Sequence, residues 1–236
     1  MCLVFNSHDL ADEFVVEYHV ARGLPTWEPT LVDVMGRDGA VYAGTRALPR
    51  TVECDLYFMD DTREGRMRAV RSLASILAVR EPARLVLGDE GGLWRLAVPQ
   101  LEQPLEAFLN ADAAHVSFVC PDPWLYGEEH EWTLATSTTL LVGGSCETPI
   151  DIIATGARAG TLTVTNTTTG QSLSVSGVPA GAAVSISSSG CVVTVNGTTK
   201  VLTASSRWLY AQPGENVITV TNGGTSVVAS VTDRWW

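Results

Sequence analysis

Apolar and polar residues alternate with a period of two along most of this chain, a pattern typical of β-strands with one buried face. The clearest alternation runs from Thr51 to Phe58, where apolar residues are separated by charged or polar ones. Leu31–Val34 and Ala40–Ala43 flank an Asp38-Gly39 pair, which predicts a hairpin. Shorter alternating runs predict further strands over 84–87, 94–98 and 113–119.

One stretch breaks this period. From Thr62 to about Val79, apolar residues recur at helical spacing, with arginines and serines on the opposite face. Asp61, followed three residues later by Glu64, predicts an N-terminal cap. We therefore predict one helix, over about 62–79, that lies on a sheet.

The last hundred or so residues are rich in threonine, serine, valine and glycine. Turn residues separate their short β-branched runs at the spacing of a β-sandwich. Asn196-Gly197 and Asn222-Gly223 predict two-residue hairpin turns. The runs predict an antiparallel domain without helices, with strands near 150–153, 161–165, 172–175, 183–186, 192–195, 217–220 and 227–231.

The charge is divided unevenly along the chain. Residues 1–131 carry 11 Lys+Arg against 22 Asp+Glu, whereas residues 132–236 carry 4 of each, so the first part holds the whole net charge of −11. This change follows the stretch CPDPWLYG, whose prolines favour an extended exit from the preceding strand. We predict two domains, 1–130 and 131–236. Pro121, Pro123, Trp124 and Tyr126 are predicted to form their junction, and the alternative is a ligand pocket lined by the same aromatic side chains.

The sequence offers little for catalysis. The five cysteines and four histidines show no metal-binding spacing. No G-x-S-x-G, S-x-x-K, GxGxxG or GxxxxGK motif is present, and the adjacent carboxylates are explained by caps and turns. We predict no enzyme, no cofactor and no metal. The apolar runs are too short for a membrane span, and no secretory signal is expected at the N-terminus.

A carbohydrate-binding β-sandwich is the alternative function. Aromatic platforms bind sugars, and Trp132, Trp208 and Tyr210 are available, although core packing explains them more simply. The final pair, Trp235-Trp236, should dock on its own domain or on a partner, because exposing each large apolar side chain costs about 1.5–3 kcal/mol.

The order of these parts resembles the distal tail protein family of phages with long, non-contractile tails. The resemblance covers nearly the whole chain, and its most specific element is the D-P-x-x-Y-G sequence at Asp122–Gly127. The other matching features are Val4-Phe5-Asn6, Phe14-Val15-Val16, Gly39 with Gly44-Thr45, Val52–Phe58 before Arg66–Leu77, Pro82–Leu85 with Asp89, Phe118-x-Cys120, Trp208 before Pro213-Gly214-x-Asn216, and the Arg-Trp ending.

This resemblance implies a mainly β protein: an N-terminal tail-tube-like β-sandwich with one flanking α-helix, and a C-terminal galectin-like antiparallel β-sandwich. It also implies that the protein has a structural role in the virion and is made in the cytoplasm of the bacterial host. Such a protein forms a homo-hexameric ring at the tail tip, joins the tail tube protein to the hub or fibre protein, and lets DNA pass. The chain lacks an insertion large enough for an extra carbohydrate-binding domain, so the resemblance does not extend to direct binding of host glycans.

Two sets of residues become candidates for this role. The hairpin from Leu31 to Arg50, and Arg46 and Arg50 in particular, are expected to contact neighbouring copies in the ring. The acidic residues Asp33, Asp38, Glu53, Asp55, Asp60 and Asp61 are expected to line the lumen and repel DNA, because a basic wall would bind phosphates. The alternative for the acidic set is that it serves solubility alone.

Overall fold

The computed structural model describes residues 2–12, 14–18, 26–101 and 113–236. Contacts between Cα atoms divide the chain into two units. Unit 1 is Met1–Leu125 together with Trp236, and unit 2 is Tyr126–Trp235. The sequence-based division at 130/131 stays a prediction of the domain boundary.

The described residues of unit 1 form a short 3-10 helix at Leu10–Asp12, the α-helix α1 at Arg63–Leu77, and strands that pair antiparallel. The strands are β1 Leu3–Phe5, β2 His8–Asp9, β3 Phe14–Tyr18, β4 Trp27–Asp33, β5 Ala40–Ala47, β6 Arg50–Phe58, β7 Ala83–Leu87, β8 Trp94–Gln100 and β9 Ala113–Cys120.

Strand β8 links the two sheets of unit 1. Its first half pairs with β7, which continues through β1 to β2, and its second half pairs with β9, which continues through β6 to β3. The inner faces enclose a core that includes Phe5 and Phe118, both fully buried, with ring centroids 5.0 Å apart. Leu73 and Leu77 of α1 join this core, so the helix lies on the sheets as its apolar stripe predicts.

The cap of α1 differs from the prediction. Thr62, not Asp61, caps the helix, because its Oγ1 accepts a hydrogen bond from Gly65 N. Asp60 in turn accepts from both the N and the Oγ1 of Thr62, at 2.8 and 2.7 Å. The predicted Asp61 cap is wrong because the acidic side chain that orders this turn lies one residue earlier.

Unit 2 is an antiparallel sandwich without a helix. One layer has the order β11-β20-β14-β15, the other the order β18-β17-β16-β13-β21-β10, and β12 pairs with β19. The strands are β10 Leu125–Thr133, β11 Ser137–Val142, β12 Thr148–Pro149, β13 Asp151–Ala157, β14 Gly160–Asn166, β15 Gln171–Val178, β16 Ala182–Ser187, β17 Val192–Val195, β18 Thr198–Thr199, β19 Tyr210–Ala211, β20 Gly214–Thr221 and β21 Ser226–Trp235.

The two predicted Asn-Gly turns have different outcomes. Asn196 and Gly197 both have positive φ, 50° and 77°, and form the two-residue turn between β17 and β18. Asn222-Gly223 instead belongs to a four-residue connection between Thr221 and Ser226, in which Asn222 and Gly224 have positive φ. The prediction of a two-residue turn there is wrong, because the second left-handed residue is Gly224.

The mainly β class predicted from the sequence is confirmed, and α1 is the one α-helix among the described residues. The core of unit 2 consists of aliphatic side chains from both layers, and Trp132 and Trp208 pack against it. Among the described residues, no helix has the length and apolar character needed to cross a membrane.

Candidate assembly site

Strands β4 and β5 form a hairpin whose apolar side chains are exposed. Met35 at its turn is fully exposed, Tyr42 is 62% exposed and Leu31 is 60% exposed. Trp27, Val32, Val34 and Val41 are exposed as well. A soluble monomer rarely leaves so many neighbouring apolar side chains in water, and such a patch marks an interaction surface.

Glycines with positive φ shape the turn of the hairpin and the irregular point in its strand pairing. Gly36 and Gly39 have positive φ in the connecting turn, and Gly44, at φ 140°, lies opposite a register shift between Thr30 and Leu31. Within the described part of the chain, β4 and β5 pair only with each other. Among the residues that the structure describes, the outer edges of β4 and β5 have no strand partner, and such edges can bind another strand.

The structure places the two predicted interface arginines in different environments. Arg46 forms an exposed ion pair with Glu28, the residue opposite it on β4. An exposed pair of this kind contributes at most about 1 kcal/mol. Arg50, at the start of β6, is half-buried, and its Nε and Nη2 have no hydrogen-bond partner among the described residues. Burial, followed by the positive charge of Arg95, lowers the pKa of Arg50.

The six acidic residues predicted to line the lumen fall into three places. Asp33 and Asp38 lie on the hairpin, Glu53 and Asp55 on one face of β6, and Asp60 and Asp61 between β6 and α1. Two of them have partners within unit 1. Asp55 Oδ1 lies 2.7 Å from His115 Nδ1, and the hydrogen bonds from Thr62 lower the pKa of Asp60. These two carboxylates therefore also have local structural roles.

The predicted junction residues are distributed over both units. Pro121, Pro123 and Trp124 belong to unit 1, where Trp124 N donates to Asp122 Oδ1 at 3.2 Å. Tyr126 belongs to unit 2 and is 7% exposed. The guanidinium carbon of Arg234 lies 5.1 Å from the centroid of the Tyr126 ring, within the range of a cation–π contact. The junction role of these residues stays a prediction.

The C-terminal tryptophans also divide between the units. Trp235 ends β21, whereas Trp236 groups with unit 1. The ring centroid of Trp236 is 3.9 Å from that of Trp124 and 4.5 Å from that of Trp27. Trp27 begins β4, a few residues before the hairpin that the sequence predicted. Its contact with Trp236, far away in the sequence, could not be predicted from the sequence pattern.

The described residues contain no group of three or more histidine, cysteine and acidic side chains that could hold a metal ion. The buried charged groups are engaged in structure. Arg95, 5% exposed, pairs with Glu90, and Asp233, 6% exposed, accepts a hydrogen bond from Gly143 N and lies 3.2 Å from His130 Nε2. Neither arrangement places a nucleophile beside a base.

The thiols provide a test of this packing. Cys54, Cys120 and Cys146 are buried, and burial raises the pKa of Cys54 to about 12 and that of Cys120 to about 11. Cys2 and Cys191 are exposed, and the hydrogen bond to Asp9 raises the pKa of Cys2. Because the thiolate is the reactive form, we expect a disulfide reagent to titrate two thiols in the folded protein, Cys191 faster than Cys2, and all five in denaturant.

The variant Cys191→Ser should remove the fast phase of this titration and leave the slower one. Rapid reaction of a third thiol in the native protein would contradict the packing of unit 1 or unit 2, and mapping the labelled cysteine would show which.

Comparison with known proteins covers both units. The family model for the phage tail protein RIFT-related domain matches residues 15–120, and the model for the siphovirus-type tail component, C-terminal domain, matches residues 143–235. No curated protein matches the chain.

Solved structures show the same fold. The crystal structure of SPP1 Dit, described as a paradigm of the hub adsorption apparatus in phages that infect Gram-positive bacteria, has a TM-score of 0.75 at 20% identity. The match covers 100% of this chain and 99% of that one. A chain of the phage p2 baseplate in its activated conformation with Ca has a TM-score of 0.51 at 8% identity, over 96% of this chain and 92% of that one. At these identities the likeness concerns the fold.

A RIFT-related domain followed by a siphovirus-type C-terminal domain defines a component of the tails of phages with long, non-contractile tails. The chain belongs to the distal tail protein family of these siphophages. Its role is that of a structural protein of the tail or baseplate.

Proposed function

We propose that this chain assembles into a closed hexameric ring at the tip of the tail. There it joins the tail tube protein to the hub or fibre protein and leaves a channel through which DNA passes. It is made in the host cytoplasm, incorporated into the virion, and performs no catalysis. The observation that carries this proposal is the exposed apolar hairpin formed by β4 and β5.

The hairpin suits an interface between identical copies. A cyclic ring needs one surface of each copy to bind a different surface of the next, with about 800 Å² buried per partner. The hairpin offers exposed apolar side chains from both of its faces and, within the described ranges of the chain, two strand edges without a partner. Burying one of its large apolar side chains contributes about 1.5–3 kcal/mol, so several buried together would stabilise the ring.

The acidic excess supports the passage of DNA. Residues 1–131 have a formal charge of −11, and copies arranged around an axis would multiply that charge. Phosphates bind basic surfaces with an affinity that grows with each neutralised charge, so an acidic wall would keep the DNA moving. Glu53 and Asp55 share one face of β6, and we expect that face to line the channel.

A charge placed on the hairpin should prevent assembly. We expect Leu31→Glu to leave the chain folded, because Leu31 is 60% exposed, but to abolish the ring, because the introduced carboxylate would be buried without a partner. Light scattering and native mass spectrometry would measure the oligomer, on the protein alone and after incubation with isolated tail tubes.

The matched control is Leu141→Glu, which makes the same change at a leucine of β11 that is 69% exposed in unit 2. It should assemble like the unchanged protein. The double variant Arg46→Glu, Arg50→Glu tests the two arginines in the same way. Rings formed by Leu31→Glu would refute the role of the hairpin, and an unchanged protein that stays monomeric even with tail tubes would refute the ring.

A further inference from the structure

Unit 2 contains a cavity of about 210 Å³ that none of the assembly contacts proposed above uses. Three segments surround it: the connection between β10 and β11, the turn between β13 and β14, and the connection between β20 and β21. At about 30 Å³ per water molecule it has room for about seven waters. This is smaller than the pockets of drug-sized ligands and suits one small ring or a short chain.

The walls of this cavity are held by backbone contacts. Leu134 N donates to Val227 O at 2.7 Å, and Val220 N donates to Thr136 O at 3.0 Å. A Cβ at Gly224 would lie 2.3 Å from Gly156 O, and the missing side chain is what lets the two turns approach. The cavity is therefore part of the sandwich's own framework.

Four hydroxyl-bearing residues line the cavity, and three of them, Thr133, Thr136 and Thr225, are exposed there. The fourth is Ser226. On the neighbouring sheet, by contrast, hydroxyls bond each other across strands, as Thr163 with Ser174 and Thr165 with Ser172 do. Exposed hydroxyls around one cavity are donors and acceptors available to a hydroxylated ligand.

The charge of the lining is positive. Arg158 is exposed at the cavity, and its guanidinium has no ion-pair partner among the described residues. No aspartate or glutamate lines the cavity, although the protein as a whole carries a formal charge of −11. Screening reduces the field of distant charges beyond about 8 Å at physiological salt, so the nearby guanidinium decides which ligands bind.

We propose that this cavity binds a small polyhydroxylated anion, in which a carboxylate or phosphate pairs with Arg158 and the hydroxyls bond the threonine and serine side chains. The fork of an arginine matches either anionic group. An acidic sugar unit of a glycan and a polyol phosphate share this chemistry. The proposal goes beyond the ring and does not depend on it, because all lining residues belong to unit 2.

The test is an NMR titration of the full-length chain with glucuronate and with glycerol 1-phosphate. We expect at least one of them to shift the backbone amides of Gly223, Gly224 and Thr225, with a dissociation constant on the order of 1 mM. Binding of glucuronate would identify the ligand class as an acidic sugar, and binding of glycerol 1-phosphate would identify it as a polyol phosphate. Affinity should fall as salt rises, because the ion pair with Arg158 is accessible to solvent.

Two variants and two further probes decide the outcome. Arg158→Gln should weaken binding about tenfold or more, whereas Arg207→Gln, at an exposed arginine of unit 2 outside the cavity, should not. Glucose binding as tightly as glucuronate would overturn the need for an anion. Inorganic phosphate binding as tightly as glycerol 1-phosphate would overturn the need for hydroxyls. No shift at these amides with either ligand would overturn the site itself.

Discussion

Replacing Asn166 by aspartate is expected to lower the free energy of unfolding of unit 2 by about 3–5 kcal/mol, the cost of leaving a buried charge uncompensated. Asn166 is fully buried at the end of β14. Its Nδ2 donates to Tyr210 O at 2.8 Å and to Asn216 Oδ1 at 3.2 Å, while its Oδ1 accepts from Thr168 N and Thr169 N. Both donors and both acceptor positions of the amide are in use.

Asn216, also fully buried, completes the network. Its Nδ2 donates to Gln212 O and Gly214 O, and its Oδ1 accepts from Gln212 N as well as from Asn166. A carboxylate at position 166 would put a second acceptor where two acceptors already point. The side chain has nearly the same volume, so the loss would come from electrostatics and not from packing.

This change has a pH dependence of known sign. Protonation of the introduced carboxyl restores one donor, so the folded state would raise its pKa above the usual aspartate value of about 3.9. The variant therefore keeps its stability at pH values below the usual aspartate pKa of about 3.9. It loses stability as the pH rises through the raised pKa of the folded state. Urea unfolding near neutral pH and at about pH 4 should show a larger destabilisation at the higher pH.

The control is Asn196→Asp. Asn196 is exposed in the turn after β17, and its Oδ1 accepts from Ala183 N, a bond that a carboxylate can also accept. We expect a change of less than about 0.5 kcal/mol, as for most surface substitutions. Equal effects of the two substitutions would show that the paired asparagines do not form the network described above.

The strands were predictable where one face is buried. In β6 the side chains of Val52, Cys54 and Leu56 are buried while those of Thr51 and Glu53 are exposed, so the sequence period and the burial agree. Strand β11 was not predicted, because its run of serine, threonine and leucine includes Leu141, which is 69% exposed. The alternation of apolar and polar residues cannot identify a strand whose outward face also carries apolar residues.

The candidate assembly site was predictable only in part. The Asp38-Gly39 pair and its flanking alternation indicated the hairpin, because turn chemistry is local. The exposure of Tyr42 and Met35 was not predictable, because the same alternation describes a hairpin packed on a core. Arg50 was grouped with Arg46 by sequence distance, but β6 carries it to a half-buried position beside Arg95.

Gly224→Ala is expected to destabilise unit 2 by about 2–6 kcal/mol, the sum of two costs. The backbone at Gly224 has a φ of 92°, where an L side chain is strained by about 1–3 kcal/mol. In addition, a Cβ there would lie 2.3 Å from Gly156 O and 2.6 Å from the Cα of Ala157. Both atoms belong to the backbone, so no side-chain rotation relieves the overlap, and forced shifts of this kind cost about 1–3 kcal/mol.

Gly214→Ala separates these two costs. Gly214 has a φ of 100°, close to that of Gly224, but a Cβ there would meet nothing within 4 Å. It therefore carries the conformational strain alone, and urea unfolding should place the two variants about 1–3 kcal/mol apart. Equal losses of stability would mean that the turn at Gly224 is not held against the Gly156 turn. In that case the cavity that Arg158 lines would lose its rigid wall as well, so this comparison also tests the framework of the proposed ligand site.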